Sequence, residues 1–257
     1  MAKLYDRADI YDLLETDRRY QIVKRHWERV LSVQQVRDLL DVSIGSGNLT
    51  LPLAELGIGL YGSDLSEHML ERCREKADKK GFPIDLRASD FRRLDESFDM
   101  MFDCVASTGN SLPYVTNDEV LDVLGQMDRL VRPGGYLYFD VRNWDKITAT
   151  KQRFYTYDPT FLENGVRMDL VQVWDHHEDG SMTFHLLYTF ERENKKFQKE
   201  IFEEHYFPIM RHVLLDGLER LGYGEIELMN LPAFVETVEP DEADWYCVLA
   251  RKQEASI

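Results

Sequence analysis

Apolar residues recur at three- and four-residue intervals between positions 8 and 39: Ile10, Leu13 and Leu14, then Ile22, Val23, Trp27, Val30 and Leu31. That spacing predicts one or two amphipathic helices. The pattern then shifts. "LLDVSIGSG" reads as a buried strand entering a glycine turn, "NLTLPLAELG" as a helix ending at Gly57, and "IGLYGSDLS" as a second short strand. "SEHMLERCREKADKKG" is a helix with Ser66 as N-cap and Gly81 as its stop. Strands "IDLRASD" and "FDMMFDCVAS", helix "DEVLDVLGQMDRLV" and strand "GGYLYFDVR" continue the alternation. Strand and helix in turn imply right-handed crossovers and an α/β fold with a doubly wound, mostly parallel sheet.

After residue 150 the period becomes two. Residues 166–208 alternate apolar and polar positions, with Asp179-Gly180 and Asn194-Lys195 as turns, which predicts antiparallel hairpins. "IMRHVLLDGLERLGY" is helical again, and "GEIELMN" and "WYCVLARK" are two closing strands. The expected organisation is a helical cap over 1–38, a core over 39–150, an antiparallel β insertion over 151–207, and a C-terminal helix with closing strands over 208–252. An insertion beside the carboxyl ends of parallel strands is placed to cover a site, so it is read as a lid.

The 257 residues suit one large domain with an insertion, and only "KQEASI" reads as a loose tail. Asp and Glu outnumber Lys and Arg by 47 to 31, and the formal charge of −16 would repel nucleic acid and anionic membranes. The densest basic stretch, residues 17–29, is interrupted by apolar residues at helical spacing and reads as a helix face. No stretch reads as a signal peptide, and no apolar run approaches the roughly 18 residues of a membrane span. Cys73, Cys104 and Cys247 are few and scattered, as in reduced, cytoplasmic proteins. His176 and His177, with His185 and His205, give no metal site, because adjacent strand residues point to opposite faces.

The chemistry concentrates at the first strand-to-helix turn. Asp41, Gly45 and Gly47 form "DVSIGSG", and Asp64 ends the second strand 23 residues after Asp41. Glycines there admit a ligand close to the backbone, and a carboxylate on the second strand can bind vicinal ribose hydroxyls. Thr50 stands where the dinucleotide fingerprint needs its third glycine, which argues against NAD. With "GSDLSEHML", "ASDF" and "LVRPGGYLYFD" following in order, the chain resembles class I S-adenosylmethionine (SAM) dependent methyltransferases. That resemblance implies a seven-stranded Rossmann-like sheet with SAM bound over 39–150. Asp41, Gly45 and Gly47 would hold the methionyl part, with Ser43 where many members have glycine. Asp64 would bind the ribose, Leu65 and Phe91 would flank the adenine, and Asp90 would accept from its amino group.

"STGNSLPYV" and "RPGGYLYFDVRNWDKI" are similar to segments of the glycine (sarcosine) N-methyltransferase family. The resemblance assigns Arg142 to the substrate carboxylate and Asn110 to orienting the amino acid. A guanidinium at a strand end can bind a carboxylate bidentately. The other reading of Arg142 is an ion pair with Asp140, Asp145 or a lid carboxylate, and of Asn110 a turn residue beside Gly109. "HYFP" resembles an aromatic junction of the same family, making Tyr206 a substrate or lid contact. Arg19, with Arg18 as fallback, matches an arginine that family members use on the SAM carboxylate. "YDRADIYDLL" is similar to the opening of small-molecule methyltransferases, including those acting on amino sugars, whose tyrosines close over the cofactor; Tyr5 and Tyr11 would take that part. The expected activity is methyl transfer to the amine of glycine, sarcosine or dimethylglycine. An amino sugar or other natural-product amine is the alternative acceptor, and a SAM-binding module without transfer is the non-enzymatic one. The sequence leaves a homo-oligomer open.

Overall fold

The computed structural model describes residues 3–162, 165–234, 239 and 241–254. Helices α1 (Ala8–Tyr11) and α2 (Asp17–Val30) precede strands β1 (Asp38–Asp41) and β2 (Gly59–Asp64). Helix α3 (Glu67–Lys80), β3 (Ile84–Ala88), β4 (Phe102–Ser107), α4 (Asn117–Leu130), β5 (Val131–Arg142) and α5 (Trp144–Thr150) follow. Strands β6 (Phe154–Thr156), β7 (Thr160–Phe161), β8 (Arg167–His176), β9 (Met182–Arg192) and β10 (Lys195–Tyr206) come next. Helix α6 (Arg211–Arg220), β11 (Tyr223–Asn230) and β12 (Trp245–Lys252) complete the order.

The first sheet has seven strands in the order β11-β12-β5-β4-β1-β2-β3. The five from β5 to β3 are parallel, and β12 lies antiparallel between β5 and β11. Strand β1 is interior, beside the middle strand β4, with Leu39 and Leu40 wholly buried, and its carboxyl end opens where the chain order reverses. Apolar clusters cover both faces: Leu40, Val105, Phe139 and Leu124 on one, Trp27, Leu39, Leu60 and Tyr138 on the other. The second sheet, β10-β9-β8-β6 with β7 on β8, is antiparallel. Its inner face carries Leu170, Trp174, Phe184, Tyr188 and Phe202, while Val171 and Ile201 face outward, as period two requires.

Local chemistry sets the ends of the elements. Ser66 Oγ accepts from the Met69 amide, Gly81 closes α3 at φ +69°, and Thr116 and Glu119 form a reciprocal capping box on α4. Three expectations move. The helix expected after the glycine turn is a 3₁₀ helix over Leu51–Leu56, because Gly57 at φ +80° stops it after about two turns. Strand β4 begins at Phe102 rather than Phe98; Phe98 plugs the core from the preceding loop, so the apolar run outlasts the strand. The β9–β10 turn is Glu193-Asn194, both left-handed at φ +51° and +60°, the backbone twist a two-residue hairpin demands. No described helix is long and apolar enough to cross a membrane.

Candidate active site

The turn after β1 is held from below. Asp41 is fully buried; its carboxylate accepts from the Ser43 amide at 3.1 Å, from Thr108 Oγ1 at 2.7 Å and from Thr50 Oγ1. Burial raises its carboxyl to about 6, against the pull of these donors. Gly47, at φ +80°, is packed: an added Cβ would lie 2.7 Å from Cys73 Sγ and Leu51 Cγ. Gly45, at φ +55°, has nothing within 4 Å of that position and borders a cavity of about 520 Å³. Its amide donates to Asp64 Oδ2 at 2.9 Å, and the Ser66 amide donates to Oδ1 at 2.8 Å. These bonds aim the Asp64 carboxylate along the wall and leave lone pairs for a ligand.

The same cavity is bordered by Leu65, Asp90 and Phe91. Leu65 is 67% exposed, an apolar surface that a flat ring would cover. Asp90 caps the turn over Phe91–Glu96 and is tied to Arg92 at 2.6 Å, which holds its carboxyl below the usual range. An open glycine, a ribose-type carboxylate and apolar jaws beside an acceptor fit an adenosine with a small charged tail. Asp41 and Gly47, both expected at the ligand, do not border the cavity; they shape the turn that does.

The N-terminal segment closes this cavity. Asp12 accepts from Ser46 Oγ at 2.7 Å, Asn48 Nδ2 at 3.0 Å, Arg72 Nε at 2.6 Å and Lys76 Nζ at 2.7 Å. Ser66 Oγ donates to the Tyr5 carbonyl, and the Leu4 amide to Glu204 Oε1. Tyr5, Tyr114 and Tyr206 join hydroxyl to hydroxyl at 2.8 Å each, and Tyr114 donates to Glu204 Oε2 at 3.1 Å. Burial raises the Glu204 carboxyl. Tyr11 borders the same cavity. Tyr114 and Glu204 were missed in the sequence, although Tyr114 stands inside "STGNSLPYV" and Glu204 borders "HYFP".

A second cavity, of about 730 Å³, lies between α2, the end of β5 and residues 157–161, and shares Leu49 with the first. Arg19 borders this second cavity and pairs with Glu15 at 3.2 Å. Arg19, expected at the cofactor carboxylate, does not border the first cavity, and the two cavities meet at Leu49. Residues 19, 22, 23 and 26 fall on one helical face, and that face looks onto the second cavity.

Arg142 is 5% exposed and none of the ion pairs among the described residues includes it. The alternative, a pair with Asp140, Asp145 or a lid carboxylate, does not form among the described residues. Its guanidinium lies over Trp245, Tyr155 and Trp174 at 4.5, 4.9 and 5.0 Å and donates to Tyr157 Oη at 3.2 Å and Gln172 Oε1 at 3.3 Å. Tyr157 borders the second cavity, so Arg142 stands one hydroxyl behind its wall. Asn110, at φ +63°, spends its Oδ1 on the Arg142 amide and the Trp144 indole, both 3.0 Å away. It fixes the end of β5.

Residues 39–135 match a family described as a methyltransferase domain. They form a class I methyltransferase domain. The cofactor of this class is SAM, which the Asp64, Leu65 and Phe91 cavity fits. The chain is 30% identical over 170 residues to the putative methyltransferase YqeM of Bacillus subtilis, covering 65% of this chain and 64% of that protein. It is 24% identical to the glycine/sarcosine N-methyltransferase of Aphanothece halophytica, covering 87% and 79%. The fold matches SAM-bound CalS10, an amino pentose methyltransferase from Micromonospora echinaspora, with a TM-score of 0.70 at 14% identity, covering 98% of each chain. The methyltransferase domain thus carries the cavity that fits its cofactor at the carboxyl ends of β1 and β2, and the second sheet brings Glu204 to its wall, with Tyr206 one hydroxyl behind at Tyr114.

Proposed function

We propose that the chain is a SAM-dependent N-methyltransferase whose acceptor is a small amine bearing a carboxylate, with glycine, sarcosine and dimethylglycine the acceptors to test. The observation that carries this reading is Arg142, a buried guanidinium with no carboxylate partner among the described residues. A buried charge left unpaired is costly, and four aromatic faces offset only part of that cost. An acceptor carboxylate at Tyr157 and Arg142 would complete the pair. The similarity to a glycine/sarcosine N-methyltransferase supports the same acceptor class.

When bound, SAM supplies a methyl group on a positive sulfonium. The chain's residues supply orientation: Asp64 for the ribose, Leu65 and Phe91 for the adenine, Asp90 for its amino group, and the Gly45 backbone for the methionyl end. Asn110 positions Arg142, and the second sheet serves as a lid whose Tyr206, bonded to Tyr114 of the core, excludes water from the acceptor. Holding two reactants in line can supply up to ~7–11 kcal/mol. A second reading is favoured by one observation: 730 Å³ lies in the range of pockets for drug-sized ligands and far exceeds a glycine. It gives a bulkier amine, such as an amino sugar.

Transfer from labelled SAM to the three amino acids and to amino sugars tests both. With Arg142→Leu, KM for a carboxylate-bearing acceptor should rise by roughly 10- to 150-fold, the worth of a charged hydrogen bond, while SAM affinity stays. Equal loss of both would make Arg142 structural. Transfer to amines without carboxylates alone would favour the second reading.

A further inference from the structure

Tyr138, Asp140 and Arg142 lie on one face of β5, because alternate strand residues share a face. Asp140 is 3% exposed and borders the second cavity with Tyr138 and His26. Its Oδ1 accepts from the Gly109 amide at 2.9 Å and its Oδ2 from the Tyr138 hydroxyl at 3.3 Å. The Tyr138 hydroxyl also meets His26 Nε2 at 2.9 Å, and His26 Nδ1 accepts from the Ala233 amide at 2.9 Å. A ring nitrogen that accepts carries no proton, so neutral His26 holds its proton on Nε2 and donates it to Tyr138. The Tyr138 hydrogen is thereby directed at Asp140.

Asp140 has no cation partner among the described residues, and Arg142, two positions on, has no anion. Strand geometry separates such positions by about 6.6 Å. A zwitterionic α-amino acid carries the inverse charges at a separation that this pair can span. Gly109 borders the cofactor cavity and its amide holds Asp140, so the carboxylate stands one hydrogen bond from that wall.

We propose that Asp140 is the catalytic base of the transfer: the acceptor docks in the second cavity with its ammonium on Asp140 and its carboxylate toward Arg142. The inference rests on the amine-acceptor reading above. An N–H bond of the ammonium breaks, an O–H bond forms on Asp140, and the freed electron pair stays on nitrogen as the nucleophile. Tyr138 and His26 are positioning residues that fix the orientation of the carboxylate.

The groups facing Asp140 are Asp41 from β1, Cys247 opposite it on β12, Tyr138 and the Gly109 amide; Arg19 and Tyr157 border the same cavity. Burial first, then the Asp41 charge, lifts the Asp140 carboxyl to about 7. It gives up its own proton near neutrality, so the rate should rise with pH through that region.

Asp140→Asn keeps an acceptor for Gly109 and should bind S-adenosylhomocysteine like the wild type. Its kcat/KM for the amine near pH 7 should fall about 10²- to 10⁴-fold, and the loss should narrow as pH rises toward the amine's own pKa. Tyr138→Phe removes a donor and should move the acidic limb of the wild-type profile to higher pH. With ¹³C-labelled aspartate, the carboxyl signal missing from Asp140→Asn should titrate near neutrality in the wild type. An Asp140→Asn enzyme with unchanged rate and profile, or a signal that titrates well below neutrality, overturns the inference and leaves the amine reading standing. A wild type that methylates no amine overturns both.

Discussion

Gly45 and Gly47 both have positive φ, but a methyl group would meet open space at the first and Cys73 at the second. Gly47→Ala should therefore cost stability, about 2–5 kcal/mol from left-handed strain and overpacking, or a Tm lower by roughly 5–15 °C. Gly45→Ala should cost only about 1–2 kcal/mol of strain yet weaken SAM binding, because its methyl projects into the cavity. Calorimetric unfolding and SAM titration of the two variants check this, and the reverse order of effects would show that the roles are exchanged. The residues quoted from the sequence divide in the same way. Asp64, Leu65, Asp90 and Phe91, the residues the motifs single out for the cofactor, border one cavity. Asp41 and Asn110 stand one layer behind, since a motif marks a turn without telling which of its side chains face the ligand.

At the scale of elements, α1 and the turn after it are fastened over the cofactor cavity by Asp12, whose side chain is 7% exposed. Asp12→Ala would leave Ser46 Oγ and Arg72 Nε without their acceptor, at a cost of roughly 1–3 kcal/mol. Limited proteolysis should then cut the N-terminal segment faster, with S-adenosylhomocysteine restoring protection; cleavage at the wild-type rate would show that the segment is held by other contacts. Hydrophobic pattern was enough to read the parallel strands, as short apolar runs buried on both faces, and α3, α4 and the hairpins, as regular elements with one buried face. It could not read the 3₁₀ turn at Leu51–Leu56 or the start of β4, where a loop residue supplies core. Nor could it pair His26 with Tyr138, which lie 112 positions apart.

Over the whole molecule, the polar groups at the carboxyl ends of the strands are buried, and stability should depend on pH accordingly. The folded Asp41 carboxyl is raised from its ordinary 3.8 to about 6, so between these values the folded chain keeps a proton that the unfolded chain has lost. The contribution of Asp41 to stability is full below 3.8, falls as pH rises to about 6 and is level beyond. Denaturant unfolding of wild type and Asp41→Asn should show their difference moving against the wild type across that window. A difference that moves toward the wild type would contradict the raised carboxyl.

Strand β12 is made after every other described strand, yet it occupies an interior place between β5 and β11. Its first residue, Trp245, pairs with Arg142 in register and lays its ring over the guanidinium. On the ribosome, the nascent chain therefore emerges with a gap in its larger sheet and one face of the Arg142 guanidinium still without its ring. The last face of the aromatic box around Arg142 is therefore laid down only when the last described strand threads between two strands made before it.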